Sequence, residues 1–464
     1  MNYQSPFSTR YGSEDMRRIW SETAKRRLWR KTWLAVAQAQ AAAGLISAEQ
    51  MDDLQAHVDD VDILRAREIE AEIGHDLMAE LRCFAEQCEI GGGVLHWGMT
   101  SADVQDNAEV VRQKAALQLL LQRLREVLLL FADRIEETAD LPVMGYTHLQ
   151  PAEPTTLGYR LSTYAQDLLG ELAMLGGIHK QLRGKGIKGA VGTSATFDEM
   201  LEDTPISPET LEATVMTSLG IDAFPVSSQV YPRHQDYALT AALAGLAASL
   251  HKFAFDLRLM QSAGFRAAAE PFGAHQVGSS AMPFKKNPIR AEKICSLARS
   301  VSAALPEAWN NAAVTLLERT LDDSANRRRY IPEMFLALDE MLLSAAAILK
   351  GLVVDRHGSE AILELYGPFS ALERLLNLLV KEGADRQVMH ERLRQHSMTA
   401  WTALEEGKPN PLIEQVSNDT TILQYLQPGK VQALMDARTY VGLAPQRAKA
   451  MAARIRTAFG IESP

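Results

Sequence analysis

The sequence predicts an all-α protein built around a bundle of long helices. Hydrophobic residues make up 47% of the 464 residues and aromatic residues only 6%, and Ala and Leu dominate, which favours helices over sheets. Apolar residues recur at helical spacing over about five long segments separated by polar loops. No alternating run is long enough to predict a strand, so we expect a helical bundle flanked by two smaller helical regions.

The first region, residues 1–100, is predicted to form an N-terminal helical domain. The segment ETAKRRLWRKTWLAVAQAQAAAG has helical periodicity and stops at Gly44, a residue type common at helix C-caps. The next helix opens at Ser47, where Gln50 completes a capping-box pattern.

Residues 101–354 are predicted to form the central bundle domain. Thr100 and Asp103 mark a helix start, and the periodic segment that follows runs to about Ala139, a length of about 50 Å. Long helices are also predicted over residues 155–184, over YALTAALAGLAASLHKFAFDLRLMQSAG, and twice after the polar stretch GSSAMPFKKNP. The helices then become shorter and more polar, which predicts a C-terminal helical domain over residues 355–464.

Charge and composition narrow the class of protein. The net charge of −10 argues against nucleic acid as a partner, and an anionic substrate needs a locally basic pocket. Three cysteines without CxxC spacing argue against a disulfide framework or a zinc site and fit a reducing cytoplasm. The N-terminus has no secretory pattern, and no apolar run reaches about 18 residues without a charge, so no transmembrane helix is predicted.

Four polar loops that interrupt the helices carry reactive side chains. They are EIGHDLMAE with His75 and Asp76, MTSADVQDN with Thr100 and Ser101, GYTHLQPAEPTT with His148 and Gln150, and GSSAMPFKKNP with Ser279, Lys285 and Asn287. Each loop taken singly has a structural explanation, because a lone histidine is more often a hydrogen-bonded structural residue and TSAD is an ordinary helix N-cap. Loops at the ends of rigid helices can nevertheless bring distant residues to one site.

The stretch GSSAMPFKKNP resembles the GSSxMPxKxNP loop of the fumarase/aspartase superfamily, whose members eliminate fumarate or a related acid from a substituted succinate. TSADVQDNA and YTHLQPAEPTTLG are similar to two other segments of that superfamily, in the same order. SPFSTRYGSEDM, GHDLMAE, GIKGAVGTSATF and ERTLDDSANRR resemble the adenylosuccinate lyase branch. The resemblance covers essentially the whole chain and is looser after about residue 390.

The resemblance implies a fold, an assembly and a reaction. The fold is a three-domain fumarase/aspartase-like fold, and four subunits form a homotetramer with a twenty-helix core and active sites shared between subunits. The reaction is a C–N lyase reaction of purine biosynthesis that releases fumarate from adenylosuccinate, giving AMP, and from SAICAR, giving AICAR. No cofactor and no metal is implied, because the chemistry is proton transfer alone.

The resemblance also implies roles for individual residues. Ser279 is the base and His148 the general acid, while His75 orients the substrate or tunes His148. A serine can act as a base only if its alkoxide is stabilised, and Lys285 and the backbone amides of its own loop are the candidates for this role. The succinyl carboxylates bind Lys285, Asn287, Thr100 and Ser101. The remaining substrate-binding positions are Arg10, Tyr11, Arg319, Ser324 and Arg328 at the phosphate, together with Gln229, Gly74, Asp76 and Lys293.

Three residues depart from the family pattern. Gly74 stands where many members have arginine, Tyr159 stands where lysine is frequent, and Lys293 stands where close relatives have a substrate-contacting arginine. Lysine keeps the charge of arginine but loses its planar fork. These departures leave room for a relative that acts on a different amino-succinate.

Two alternatives therefore stay open. One is a sister elimination enzyme, such as an argininosuccinate lyase, a fumarase or a cycloisomerase; ERTLDDSANRR argues against it. The other is a catalytically silent helical scaffold like the lens crystallins of this superfamily. The presence of His75, His148, Ser279, Lys285 and Asn287 together argues against a silent protein.

Overall fold

The computed structural model of the protein describes residues 3–461 and confirms the predicted all-α class. Within these residues the α-helices are α1 (Glu14–Ile19), α2 (Glu22–Ala42), α3 (Ala48–His57), α4 (Ile63–Ile73), α5 (Asp76–Gln87), α6 (Ser101–Glu137), α7 (Leu157–Gln181), α8 (Ala195–Leu201), α9 (Pro208–Leu219), α10 (His234–Met260), α11 (Ile289–Ala303), α12 (Leu305–Ala313), α13 (Ser324–Lys350), α14 (Arg356–Lys381), α15 (Arg386–Glu405), α16 (Leu412–Ser417), α17 (Pro428–Leu434) and α18 (Ala444–Ala458). The strands are β1 (Pro142–Thr147), β2 (Gln150–Thr156), β3 (Arg183–Gly184), β4 (Asp222–Ala223), β5 (Ala268–Ala269) and β6 (Val353–Val354).

Local capping chemistry ends the helices where the sequence predicts. Gly44 follows α2 with a φ of 81°, a left-handed conformation that glycine adopts without strain. At the start of α3, Gln50 N–H donates to Ser47 Oγ (3.3 Å) and Ser47 N–H donates to the Gln50 side chain (3.0 Å), which completes the capping box. The long helix α6 runs for 37 residues from Ser101, which confirms the predicted start.

The polar segment before α7 forms a hairpin that the sequence did not predict. Strands β1 and β2 pair antiparallel, with Pro142 opposite Thr156 and an irregularity between Met144 and Tyr146. Two prolines lie in β2, and proline is uncommon inside strands because it lacks an N–H donor. The segment therefore shows no strand pattern in the sequence, although its backbone pairs with β1 in the structure.

The chain divides into two compact units. Unit 1 contains the residues up to Leu124, Gly170–Ala248 and Ser296–Leu343, and unit 2 contains Arg125–Leu169, Ser249–Cys295 and the residues from Ser344 onward. The boundaries fall inside α6, α7, α10, α11 and α13. This division does not coincide with residues 1–100, 101–354 and 355–464, and the three-domain organisation stays a prediction.

Unit 1 has an apolar core that also encloses an ionic cluster. Trp33 and Phe84 are 1% and 0% exposed and pack together from α2 and α5. In the same region the buried Glu80 carboxylate accepts from Arg26 (2.9 Å) and from Arg30 (2.6 Å). One carboxylate thus ties α5 to two positions on α2.

In unit 2, the C-terminal helices have an apolar core of their own. Leu375 and Leu379 of α14 pack with Met389 of α15 and Leu412 of α16. Asp419 links α15 to the turn that follows α16, because its side chain accepts from Arg392 (2.6 Å) and from the backbone N–H groups of Thr421 and Ile422.

One helix among the described residues, α10, is long and apolar enough to span a membrane by length and composition alone. Half of its most apolar window is buried within the protein. Apolar helices of a protein core meet the same criteria, so the absence of a transmembrane helix stays a prediction.

Candidate active site

The first candidate catalytic histidine lies at the N-terminus of α5 in unit 1. Gly74 ends α4 with a φ of 68°, and His75 is then the N-cap of α5, where its Nδ1 accepts from Met78 N–H (3.4 Å). The other ring nitrogen, Nε2, lies 3.4 Å from Ser101 Oγ at the start of α6. The structure therefore brings the GHD and TSAD loops together.

The loop at the start of α6 is held by a buried aspartate, Asp103. Its carboxylate accepts from the N–H groups of Thr100 (2.9 Å), Lys188 (3.0 Å) and Gly189 (3.2 Å). It also pairs with the Lys185 ammonium, and neither side chain of this pair is exposed. Thr100 and Ser101 are thus positioned by the RGKGIKG loop of the same unit.

Asp76, beside His75, connects this loop pair with the ERTLDDSANRR segment. Its Oδ2 lies 2.7 Å from Arg328 Nη1, and its Oδ1 accepts from Gln105 (3.2 Å). Burial by itself raises the pKa of the Asp76 carboxyl, but the Arg328 guanidinium, the N–H group of Leu77 and the charge of Lys25 together lower the pKa below its ordinary value. Asp76 is therefore an anion that keeps Arg328 beside the histidine.

A cavity of about 350 Å³ lies next to this ion pair in unit 1. Six cationic side chains and three carboxylates line it: Lys25, Arg112, Arg233, Arg319, Arg327 and Arg328, against Glu22, Asp106 and Glu109. Ser324 also lines it, so the three predicted phosphate residues of the ERTLDDSANRR segment share one cavity. The cavity thus offers several cationic donors to a ligand, as expected for an anionic substrate of a net acidic protein.

A buried ionic network supports one wall of the cavity. The Arg233 guanidinium, 4% exposed, donates to both oxygens of Asp106 (3.0 and 3.2 Å) and to Asp323 (2.6 Å). Burial raises the pKa of Asp106, yet the charge of Arg233 lowers it overall. Asp323 in turn accepts from Arg319 (3.2 Å), so the network fixes the segment that carries the phosphate residues.

The other predicted nucleotide residues of unit 1 lie around this segment. Gln229 N–H donates to the carbonyl of Glu318 (3.3 Å), next to Arg319. The Arg10 guanidinium lies 5.8 Å from the centroid of the Tyr11 ring. Neither Arg10 nor Tyr11 lines the 350 Å³ cavity, so the structure does not join them to the other phosphate residues.

The candidate base lies in unit 2, in the irregular loop before α11. Ser279 Oγ accepts from the backbone N–H groups of Met282 (3.0 Å) and Ala281 (3.3 Å). A Cβ atom at Gly278 would collide with the carbonyl oxygen of Lys285, so only glycine fits at that position. Asn287 closes the loop by donating to the Gly278 carbonyl (2.8 Å).

The end of this loop is fixed while its tip is exposed. Glu270 accepts from the N–H groups of Arg290 (3.1 Å) and Ala291 (3.0 Å) at the start of α11, and burial raises the pKa of this carboxyl. Lys285 is exposed, and Lys293 lies half-buried in α11. Lys285 can therefore reach a ligand without losing a buried partner.

The candidate acid, His148, lies at the exposed turn between β1 and β2. It has a φ of 53°, which is uncommon for a side-chain-bearing residue. His148 and Tyr159 line a cavity of about 530 Å³ in unit 2 together with Arg160, Tyr164 and Asp256. Neither Ser279 nor Lys285 lines this cavity, so the cavity does not bring the predicted acid and base of one chain together.

Sequence inspection missed several residues around the cavity in unit 1. Lys25 and Glu22 lie in a helix with charges on most faces, and nothing in that pattern marks them. Asp106 follows TSAD by one helical turn, and Arg233 precedes α10. The sequence carries no signal for these two, because their burial and their pairing depend on residues far away in the chain. Among residues 3–461, no group of three or more His, Cys, Asp or Glu side chains is placed to hold a metal ion.

Comparison with known proteins identifies the family. The sequence model of a family described as "Lyase" matches residues 7–303, and the model described as "Adenylosuccinate lyase C-terminus" matches residues 368–451. The adenylosuccinate lyase of Saccharomyces cerevisiae is 37% identical over 454 residues, which cover 96% of this chain and 93% of that protein. The chain belongs to the adenylosuccinate lyase family.

Other relatives agree with membership of the adenylosuccinate lyase family. The adenylosuccinate lyase of Schistosoma mansoni is 38% identical over 90% of this chain and 88% of its own length. That of Pyrococcus abyssi is 34% identical over 95% of both chains. The family predicted from the loops of the sequence is thus confirmed.

Solved structures agree with the fold. A fumarate lyase from Mesorhizobium sp. BNC1 matches with a TM-score of 0.84 at 22% identity, covering 97% of this chain and 99% of that one. A 3-carboxy-cis,cis-muconate lactonizing enzyme from Pseudomonas putida matches with a TM-score of 0.86 at 22% identity and the same coverage. At this identity the likeness concerns the fold alone, and it confirms the fumarase/aspartase-like fold.

Proposed function

We propose that this chain eliminates fumarate from adenylosuccinate, giving AMP, and from SAICAR, giving AICAR, in purine nucleotide biosynthesis. The curated relatives are named after the first of these substrates. The observation that carries the proposal is the Asp76–Arg328 pair. It joins the predicted elimination residues, His75 and Ser101, to a cation-lined cavity suited to a nucleotide phosphate.

In the proposed mechanism, Ser279 as an alkoxide removes a proton from the carbon next to a succinyl carboxylate. The electron pair of that C–H bond forms the double bond of fumarate, and the C–N bond breaks with its pair moving to nitrogen. His148 as an imidazolium ion protonates the departing nitrogen. No oxidant or other co-reactant is required, and we propose that the enzyme works without a cofactor or a metal.

A serine hydroxyl needs help to act as a base. The two N–H groups that donate to Ser279 Oγ would stabilise the negative charge of an alkoxide more than that of a neutral hydroxyl. Lys285 adds a positive charge from the same loop. Lys285 and Asn287 would also hold the succinyl carboxylates, with Thr100 and Ser101 contributing from the N-terminus of α6.

We also propose a homotetramer whose active sites are shared between subunits. The cavity that His148 lines does not include Ser279, and this supports the assembly, because one reaction needs both groups at one substrate. A second support is the exposed apolar stretch before α13, where Leu316, Leu317 and Leu321 are 66%, 91% and 70% exposed. Such a surface is expected to be covered by another copy of the chain.

Mixing two inactive variants tests the shared site. Ser279→Ala and His148→Ala subunits are each expected to form inactive tetramers, and mixed tetramers should regain part of the wild-type rate because some sites then receive an intact base and an intact acid. The rate of fumarate release after co-refolding measures this recovery. If the mixture stays as inactive as its parents although mixed tetramers form, the base and the acid come from one subunit.

The first experiment for the function itself is to incubate the purified protein with adenylosuccinate and to follow fumarate and AMP. Equimolar release of both products is the expected result. If no product appears, SAICAR, argininosuccinate and malate distinguish a sister elimination enzyme from a catalytically silent scaffold.

A different amino-succinate is the second candidate substrate. Tyr159, which departs from the family pattern, lines the same cavity as His148. Gly74 offers no side chain beside His75, and Lys293 lacks the fork of an arginine. Relative rates on the four substrates named above distinguish this candidate from adenylosuccinate.

We further propose that the protein acts in the cytoplasm and binds neither nucleic acid nor membranes. Its three cysteines are all buried, an arrangement that needs no oxidising compartment. Its net charge of −10 opposes binding to phosphate backbones and anionic lipids.

A further inference from the structure

We propose that Lys25 is a further substrate-binding residue, which holds the 5′-phosphate of the nucleotide together with Arg319, Ser324 and Arg328. The proposal rests on the proposed function, since it assigns a ligand group to a cavity of that site. It adds a residue from α2, a helix that carries none of the predicted site residues.

Lys25 is held in the wall of the cavity. It lies in the first turns of α2, and its ammonium lies 5.0 Å from the centroid of the Trp29 ring. Trp29 is 3% exposed and lines the same cavity. The Lys25 side chain is 21% exposed, so its stem is packed while its charged end remains accessible.

The ion pair of Lys25 is a partly exposed one. Its ammonium lies 2.8 Å from Glu22 Oε2, and the Glu22 side chain is 35% exposed. The other oxygen of Glu22 lies 2.9 Å from Arg26, which also pairs with Glu80 (2.9 Å) and Glu70 (3.5 Å). Because an exposed ion pair adds little stability, the Lys25 ammonium can turn from Glu22 to a ligand at low cost.

Lys25 and Arg328 line the cavity from two different helices, α2 and α13. Arg328 lies 2.7 Å from Asp76. Against the effect of burial, the positive charge of Lys25 also lowers the pKa of Asp76, more weakly than Arg328 does. A phosphate placed between them would replace Asp76 as the anion near Lys25.

The choice of phosphate over carboxylate follows from the lining of the cavity. A phosphate monoester carries close to two negative charges at neutral pH and needs several accessible cationic donors. Lys25, Arg319 and Arg328 provide them, since their side chains line the cavity and are 21%, 25% and 54% exposed. Thr100 and Ser101, which are predicted to bind the succinyl carboxylates, do not line it. The serine, lysine and arginine donors on its wall are those that bind phosphate in proteins.

The test compares ligands that differ only in the phosphate. In Lys25→Met, which keeps the packed stem, AMP binding measured by calorimetry should weaken about 10- to 100-fold, the effect of losing a charge-assisted hydrogen bond. Adenosine binding should be unchanged. With adenylosuccinate, KM should rise while kcat changes little, and Lys25→Arg should recover most of the affinity for AMP.

The matched control is Lys31→Met, which removes the same charge from an exposed position of α2 and should leave AMP binding unchanged. If Lys25→Met weakens the binding of AMP and of adenosine equally, the residue has a structural role and the proposal is overturned. If the binding of neither ligand is weakened, the proposal is also overturned. If Lys25→Met weakens the binding of fumarate and not that of AMP, Lys25 binds a carboxylate of the substrate, which also overturns the proposal. A wild-type protein that binds AMP no better than adenosine contradicts the proposed function itself, whatever the variant does.

Discussion

Ser279→Ala should reduce the turnover of adenylosuccinate by roughly 10²- to 10⁴-fold, the contribution expected of a positioned base. The two N–H groups that now donate to Ser279 Oγ come from the backbone, so the loop should keep its conformation without the hydroxyl. The variant is therefore expected to fold, to assemble and to bind AMP as the wild type does. Steady-state kinetics and calorimetry with AMP measure the two effects separately.

The neighbouring serine provides a matched control. Ser280→Ala removes the same hydroxyl from the next, exposed residue of the loop and should reduce turnover far less. Turnover of Ser279→Ala within a few-fold of the wild-type rate would show that another group removes the proton. If turnover falls equally in both variants, the loop requires polar side chains in general, and Ser279 is not the base.

The second large effect is expected from Asp103→Ala, which should lower the free energy of unfolding by about 3–5 kcal/mol, the cost of leaving a buried charge without its partner. Lys185 is fully buried against this carboxylate, and three backbone N–H groups share it. Turnover should also fall, because Thr100 loses the acceptor that positions it. Denaturant unfolding and steady-state kinetics measure the two consequences.

Two further variants separate stability from positioning. In Asp103→Ala/Lys185→Met the unpaired buried charge is gone, so stability should return in part while turnover stays low; the three backbone N–H groups still lack their acceptor. Asp198→Ala is the control, because Asp198 also lies in the first turn of a helix but is exposed and should cost less than about 1 kcal/mol. If Asp103→Ala is no more destabilising than Asp198→Ala, the buried pair does not hold the loop. If the alanine variant fails to fold, Asp103→Asn replaces it in the same measurements, because asparagine removes the charge but keeps a hydrogen-bond acceptor.

Much of the fold could be predicted because it rests on local signals. The capping box at Ser47, the left-handed Gly44 and the start of α6 all depend on residues within a few positions of one another. The hairpin that presents His148 could not be predicted in this way. Its two prolines disfavour a strand locally, and only the pairing of β1 with β2 provides the partners that compensate.

The candidate site was predictable residue by residue but not as an arrangement. The loops of the sequence pointed to His75, Ser101 and Arg328, and the structure joins them through Asp76. The same loops pointed to His148 and Ser279, and the cavity that His148 lines does not include Ser279. Spacing along a chain does not encode distances between loops that lie on different helices.

The sequence by itself determined the helical class, the positions of most helix ends and the residue types of the reaction, since periodicity, capping and side-chain chemistry are local properties. Only the tertiary structure decided which charges are neutralised and which remain to bind a ligand. Glu22 is shared between Lys25 and Arg26, and Arg233 is fully engaged by Asp106 and Asp323. The reason is physical: the partner of a charged side chain is set by long-range packing, which brings together residues that are far apart in the chain.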